Sequence, residues 1–210
     1  MNKKYWELYY QKLNIDQKPS FFSEFIYDSF CENVHSLIEL GCGNGRDAVF
    51  FANKNIEVLA IDQCEKEMNF LADKYCYLKN IKFQIGDFTN LSDNQKYDIV
   101  YSRFTLHAIT KIEETRTLQW ACRNLNVNGK LCIEARGLKN EIFGKGQPVH
   151  GEIHAYIYND HYRRFIDFED LHKELISLGM SIEYAQESKG FAPYLEEDQI
   201  FIRMVASRRK

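Results

Sequence analysis

The chain has 210 residues, 45% hydrophobic and 27% charged, a balance that lets one globular domain bury a sizeable core and excludes a disordered or fibrous polymer. A formal net charge of −3 supplies no basic field of the kind that draws a protein to nucleic acid or an anionic membrane. No apolar run reaches the ~18 residues of a membrane-spanning helix, and none of signal-peptide type follows the charged start, so a cytoplasmic protein is expected.

In chain order, residues 3–13 read as an aromatic-rich helix carrying Trp6 and Tyr9. Pro19-Ser20 opens a second helix over 22–31, with Phe22, Phe25, Ile26 and Phe30 on one face. Residues 1–33 are thus expected to form a helical edge or lid rather than a separate domain. A buried strand containing Leu37, Ile38 and Leu40 runs into the turn Gly41-Cys42-Gly43-Asn44-Gly45, and a short helix follows over 46–53. The second strand, 57–62, ends on Asp62; after a helix at 65–78, the third, 81–88, ends in Asp87-Phe88. A fourth strand covers 97–102, a helix 112–125 and a fifth strand 130–135. The alternation then breaks over 136–165, where glycines and histidines gather without clear periodicity. A helix at 168–178 and two strands, 181–186 and 199–206, complete the pattern. Strands alternating with helices predict one three-layer α/β domain over 1–210, with a mostly parallel sheet covered on both faces. The final pair lacks a helix between its members, which predicts one antiparallel last strand.

Glycines in a tight turn after a parallel strand permit positive φ and let a ligand approach the main chain. Glu39, Asp62 and Asp87 stand at or near strand ends that point into one crevice. Asp62 lies about twenty residues past the turn, the spacing at which a carboxylate takes two ribose hydroxyls. Asp87 can accept from an exocyclic amine, and Phe88 can stack on a base. These residues describe an adenosine pocket. A nicotinamide dinucleotide wants Gly-x-Gly-x-x-Gly, whereas here the third glycine comes one position early and Arg46 fills the required place. The version Gly-x-Gly-x-Gly-Arg-Asp, with Glu39 upstream, suits S-adenosylmethionine, whose amino acid end and sulfonium need acceptors rather than a phosphate seat.

The segments Ile38-Glu39-Leu40-Gly41-Cys42-Gly43-Asn44-Gly45, Ala60-Ile61-Asp62, Gly86-Asp87-Phe88 and Tyr97-Asp98-Ile99-Val100 carry a family likeness. In order and spacing they resemble the four cofactor motifs of class I S-adenosylmethionine-dependent methyltransferases, over residues 36–135 and the terminal hairpin. The resemblance implies a Rossmann-like seven-stranded sheet with an antiparallel last strand. It implies Glu39, Gly41, Cys42, Gly43, Arg46, Asp47 and Gln63 among the cofactor-binding residues, Asp62 at the ribose, and Asp87 with Phe88 at the adenine. Ser102, Arg103 and Phe104 then stand beside the methionine end and the transferred methyl. Trp6 and Tyr9 either close over the cofactor or pack on the sheet edge.

Methyl transfer from a sulfonium is an in-line displacement, so orientation matters most and a base only sometimes. After the fourth strand the chain has Ser102-Arg103-Phe104-Thr105-Leu106-His107 and not the Asn/Asp-Pro-Pro-Tyr/Phe motif of enzymes that modify nucleobase or glutamine nitrogen. His107 is a candidate base or a packing residue, and His154 and His161 are the other candidate bases. Arg136, Lys145, His150, Tyr162, Arg163 and Arg164 are the candidate acceptor-binding set. Their arginines can fork a phosphate or carboxylate, or else pair with Asp160 or Asp167 in a solvated loop. His150-x-x-x-His154 with Glu152 has metal-like spacing, but nothing completes a ligand set and no metal is expected. The six cysteines include no C-x-x-C pair and read as free thiols.

The stretches Tyr101-Ser102-Arg103-Phe104, Glu134-Ala135-Arg136, Gly144-Lys145-Gly146, His161-Tyr162-Arg163-Arg164-Phe165 and Gly190-Phe191-Ala192-Pro193 are similar to methyltransferases encoded with bacterial capsule and surface-polysaccharide genes. That likeness implies O-methylation of a sugar, or of a phosphate or phosphoramidate precursor of a surface glycan, with neither nucleic acid nor membrane insertion involved. A thiol, metalloid or amine methyltransferase would keep the same cofactor motifs. So would a non-catalytic cofactor-binding partner of another enzyme.

Overall fold

The computed structural model describes residues 18–93 and 95–208; Trp6, Tyr9 and the helix expected over 3–13 lie outside the described residues. The first helix, α1 (Phe21–Phe30), starts where the Ser20 side chain accepts the Ser23 N–H, replacing one of the partners a helix start lacks. β1 (Ser36–Leu40), α2 (Arg46–Asn53), β2 (Glu57–Asp62), α3 (Glu65–Lys74) and β3 (Ile81–Ile85) follow in regular alternation. One 3₁₀ turn, Phe88–Asn90, leads to β4 (Tyr97–Arg103), and a second, Leu106–Ala108, to α4 (Lys111–Asn124). Thr110 and Glu113 cap the start of α4 reciprocally. Then come β5 (Leu125–Ala135), β6 (Gln147–Pro148), β7 (Ala155–Tyr158), β8 (His161–Arg164), α5 (Phe168–Ser177), β9 (Met180–Ser188) and β10 (Phe201–Arg208).

Seven strands form one sheet in the order β3-β2-β1-β4-β5-β10-β9, parallel except where β10 runs antiparallel to both neighbours. The strand order reverses between β1 and β4, so the crevice of an open α/β sheet opens at their carboxyl ends. Because strand side chains alternate, Leu37, Ile99, Cys132 and Val205 build one core with α1 and α2, while Ile38, Val100, Leu131 and Met204 build the other with α4 and α5. Each layer shields one sheet face from water, which is the dominant stabilising term of such a fold.

Several element bounds differ from the sequence expectation, most by one or two residues; β3 ends at Ile85 rather than residue 88, because Asp87 caps the 3₁₀ turn that starts at Phe88. α3 stops at Lys74 rather than residue 78, and β5 starts at Leu125 because Leu125 already pairs with Tyr97 ahead of the left-handed Asn128. The larger correction concerns 136–165. Its β6, β7 and β8 form an antiparallel three-stranded sheet of their own, in place of an irregular loop. Asn159 and Asp160 join β7 to β8 with both φ positive, the backbone of the two-residue hairpin turn that matches strand twist.

Candidate active site

The turn after β1 holds Gly41 at φ 69° and Gly43 at φ 53°. A Cβ on Gly41 would come within 2.5 Å of the Thr105 methyl, so the turn and the β4 exit touch directly. The N–H groups of Gly41 and Cys42 both donate to the Ile61 carbonyl, tying the turn to β2. Asp62 at the end of β2 accepts from Gly43 N–H at 3.1 Å and Cys64 N–H at 2.9 Å. Each of its carboxylate oxygens therefore keeps a lone pair for a further donor.

Two buried polar atoms border this turn without a hydrogen-bond partner: Glu39 Oε2 and Gln63 Nε2. Orphaned buried polar atoms are rare and costly in folded proteins, so this pair marks a place built to receive polar groups. Burial first, and then the neighbouring Asp47 charge, hold the Glu39 carboxyl well above its usual range, against the lowering pull of Arg103 and Arg46. A ligand with a cationic amine and sugar hydroxyls fits Glu39 and Asp62. S-adenosylmethionine carries both.

Several expected cofactor residues are otherwise engaged. Asp47 is buried and accepts from Ser20 N–H at 2.8 Å, Ser20 Oγ at 2.7 Å, Ser23 Oγ at 3.1 Å and the Tyr101 hydroxyl at 2.9 Å. It fastens α1 to α2 and has little left to offer a ligand. Phe88 is 1% exposed in the core, so its ring is not an open platform for a base. Asp87 remains exposed, with Oδ1 capping the 3₁₀ turn at Thr89. Arg103 donates to Glu134 at 2.9 Å, and Glu134 in turn accepts from Arg203 at 2.7 Å, a buried ion triad across β4, β5 and β10. Cys42 lines the turn, its thiol beside the Met68 sulfur; Ser102 hydrogen-bonds Thr105; Arg46 is partly exposed beside Asp47. Phe104, the first residue past β4, sits at φ 60°, a left-handed conformation that costs a bulky residue on the order of 1 kcal/mol and is typical of functional sites.

The basic residues of the insertion separate into two groups. Arg164 is a structural pillar: its guanidinium is buried against Glu114 and donates to the Ile109 and Leu106 carbonyls. Tyr162 donates to Glu152 at 2.6 Å; burial and that carboxylate raise its hydroxyl. On the other side of β8, His161 and Arg163 are near enough to Arg136 and His107 for their charges to be felt, and the Arg163 guanidinium donates to the Tyr158 carbonyl at 2.9 Å. The Arg136 N–H donates to His107 Nδ1 at 3.2 Å, while its guanidinium lies over the Phe201 ring and donates to Asn140 and Gln199. Burial and the Arg163 charge push Arg136 down to about 10, still charged at neutral pH. Burial, Arg163 and Arg136 push His161 down to about 3; burial and Arg136 hold His107 well below the usual imidazole range.

Lys145 and His150 are exposed, and among the described residues neither side chain makes a hydrogen bond or ion pair with this cluster. Gly146 serves packing, since a Cβ there would lie 2.2 Å from the Ile157 carbonyl oxygen; it does not open the backbone to an anion. His154 packs its ring on Phe143 at 5.6 Å as part of the insertion's aromatic core. Among the described residues, no three His, Cys, Asp or Glu side chains come together to hold a metal ion. The sequence assigned no part in these buried networks to Ser20, Tyr101, Glu134, Gln199 or Arg203. A charged residue within an apolar strand, as in Cys132-Ile133-Glu134-Ala135, was the available signal for a buried ion network.

Comparison with known proteins decides the class. Residues 37–129 match the family model described as a methyltransferase domain. That matched stretch runs from β1 into β5. A relative from Staphylococcus carnosus described as an uncharacterized methyltransferase is 23% identical over 73% of each chain. A solved S-adenosylmethionine-dependent methyltransferase from Methanosarcina mazei aligns over 88% of this chain and 97% of its own at a TM-score of 0.74 and 16% identity. The 1,6-didemethyltoxoflavin-N1-methyltransferase of Burkholderia thailandensis, solved with its substrate and S-adenosylhomocysteine, aligns over 90% of this chain and 77% of its own, with TM-score 0.68 and 17% identity. The sheet is therefore the class I methyltransferase fold. The chain is an enzyme that takes S-adenosylmethionine as methyl donor, and the residues around the glycine turn fit that donor.

Proposed function

We propose that the enzyme transfers the methyl group of S-adenosylmethionine to oxygen on a small polar, anionic acceptor in the cytoplasm. The acceptor class is a sugar, phosphate or phosphoramidate precursor of a surface glycan rather than nucleic acid. One observation carries the acceptor's charge: Arg136, Arg163, His107 and His161 gather near the β4 exit, whose Thr105 touches Gly41 of the glycine turn. Arg136 and Arg163 are half-buried, and a guanidinium partly withdrawn from water favours an anion to answer its charge. Among the described residues no carboxylate lies within ion-pair distance of Arg136, whose hydrogen-bond partners are the neutral Asn140 and Gln199. Net charge of −3 on the whole chain argues that this local positive cluster serves a small anion rather than a polynucleotide. In this reading Asp62 and Glu39 hold the donor, and Arg136 with Arg163 holds the acceptor.

The test is a pair of variants measured two ways. Arg136→Gln and Arg163→Ala should raise the acceptor KM at least tenfold while leaving donor affinity by calorimetry within twofold, because a charge-assisted hydrogen bond contributes about 1.5–3 kcal/mol. Asp62→Ala should do the reverse and abolish donor binding. Equal loss of donor and acceptor binding in the arginine variants would remove the cluster from the acceptor site.

A further inference from the structure

The histidines at the β4 exit are poorly placed to remove a proton. His107 uses Nδ1 to accept the Arg136 N–H, and that hydrogen bond sets the tautomer: the neutral ring carries its proton on Nε2 and presents a donor. His161 is buried within reach of the Arg163 and Arg136 charges, and His154 is packed on Phe143. The acids nearby are also engaged. Glu134 is held by Arg103 and Arg203, Glu152 by the Tyr162 hydroxyl, Glu141 by the Ile200 N–H and Glu197 by the Gln199 side chain. A hydroxyl or ammonium acceptor would need one of these groups to take its proton. The cluster offers positive charge and N–H donors instead.

We propose, building on the anionic-acceptor reading above, that the atom methylated is itself an anionic oxygen, a carboxylate or phosphate oxygen held by Arg136, Arg163 and the Nε2–H of His107. The balance needs no base. The oxygen lone pair forms the new O–C bond, the sulfonium S–C bond breaks, and its electron pair stays on sulfur. One positive and one negative charge cancel, giving a neutral thioether and an ester with one negative charge fewer, and no proton moves. His107 suits such a site, since the Arg136 N–H occupies its Nδ1 lone pair and leaves Nε2–H to donate to the acceptor oxygen.

The experiment reads the charge of the product. Purified enzyme is given tritiated methyl donor and the small molecules of a cell extract separated by anion exchange, and labelled product is run against its acceptor on the same column. Label should enter an anionic fraction, and the product should elute with one negative charge fewer. Mild alkali then separates the sources, since a carboxyl ester releases labelled methanol and a phosphate ester keeps its label. With donor and acceptor both saturating, so that donor affinity does not enter, the rate should be flat between about pH 6 and 9, where no essential proton leaves. Without donor, inorganic phosphate or acetate should raise the melting temperature against chloride at matched ionic strength, and Arg136→Gln should lose that rise. An unchanged product charge, or a rate climbing tenfold per pH unit, overturns the inference while the anionic-acceptor reading stands. Label confined to neutral or cationic molecules, no labelled product, or no stabilisation by either anion overturns that reading and the inference with it.

Discussion

Glu39 is the residue where chemistry and energetics meet most sharply. Its Oε2 is buried and unmet, and burial with the Asp47 charge favours the protonated carboxyl. A cationic amine arriving from the donor reverses that preference, so binding should expel a proton. The sign follows from linkage: a reaction that releases a proton is favoured as pH rises. Donor affinity should therefore increase with pH through the raised Glu39 range, and calorimetry in two buffers of different ionisation enthalpy should show proton release. Glu39→Gln should weaken donor binding about tenfold or more, the worth of a hydrogen bond to a charged group, and make it indifferent to pH. Wild-type binding with no proton released would show that the amine does not meet Glu39.

Among the elements, α1 and α2 are joined through one carboxylate. Asp47 answers Ser20, Ser23 and Tyr101, so the start of α1 is latched to the first turn after the glycines. Asp47→Ala should lower unfolding free energy on the order of 3 kcal/mol, since several buried donors lose their acceptor together, whereas Tyr101→Phe should cost about 1 kcal/mol. Denaturant midpoints compare them; equal costs would mean the latch is not shared. The sequence pointed Asp47 at the cofactor because it follows the glycines, and only the docking of α1 reveals which way its carboxylate turns. The helices and the glycine turn were legible because apolar spacing and glycine report local geometry. The insertion was not, because its strands have two to four residues, too short for periodicity to register. Asn159-Asp160 between Tyr156-Ile157-Tyr158 and His161-Tyr162-Arg163 was the readable cue to a hairpin. Arg163 and Arg164 are adjacent in sequence, so strand alternation alone sends one to the cluster and the other to Glu114.

At the scale of the whole molecule, buried titratable groups of opposite type set how stability varies with pH. His107 and His161 are held neutral, and unfolding lets each take up a proton once pH falls below about 6.5. The unfolded state then binds more protons, so these histidines make stability fall as pH drops from about 6.5, for His161 until its folded value of about 3 is reached. Glu39 and Glu134 have the opposite sign, because burial raises both carboxyls and the folded state holds their protons longer. The wild-type curve mixes the two, so a difference between proteins isolates one histidine. Between pH 7 and pH 5, wild type should lose on the order of 1–2 kcal/mol more stability than His161→Gln, the linkage cost of one imidazole that must stay neutral to remain folded. Chemical denaturation of both proteins at the two pH values measures this. Parallel losses would mean that His161 is protonated as readily in the folded chain as in the unfolded one, and the positive surroundings assigned to it would have to be abandoned.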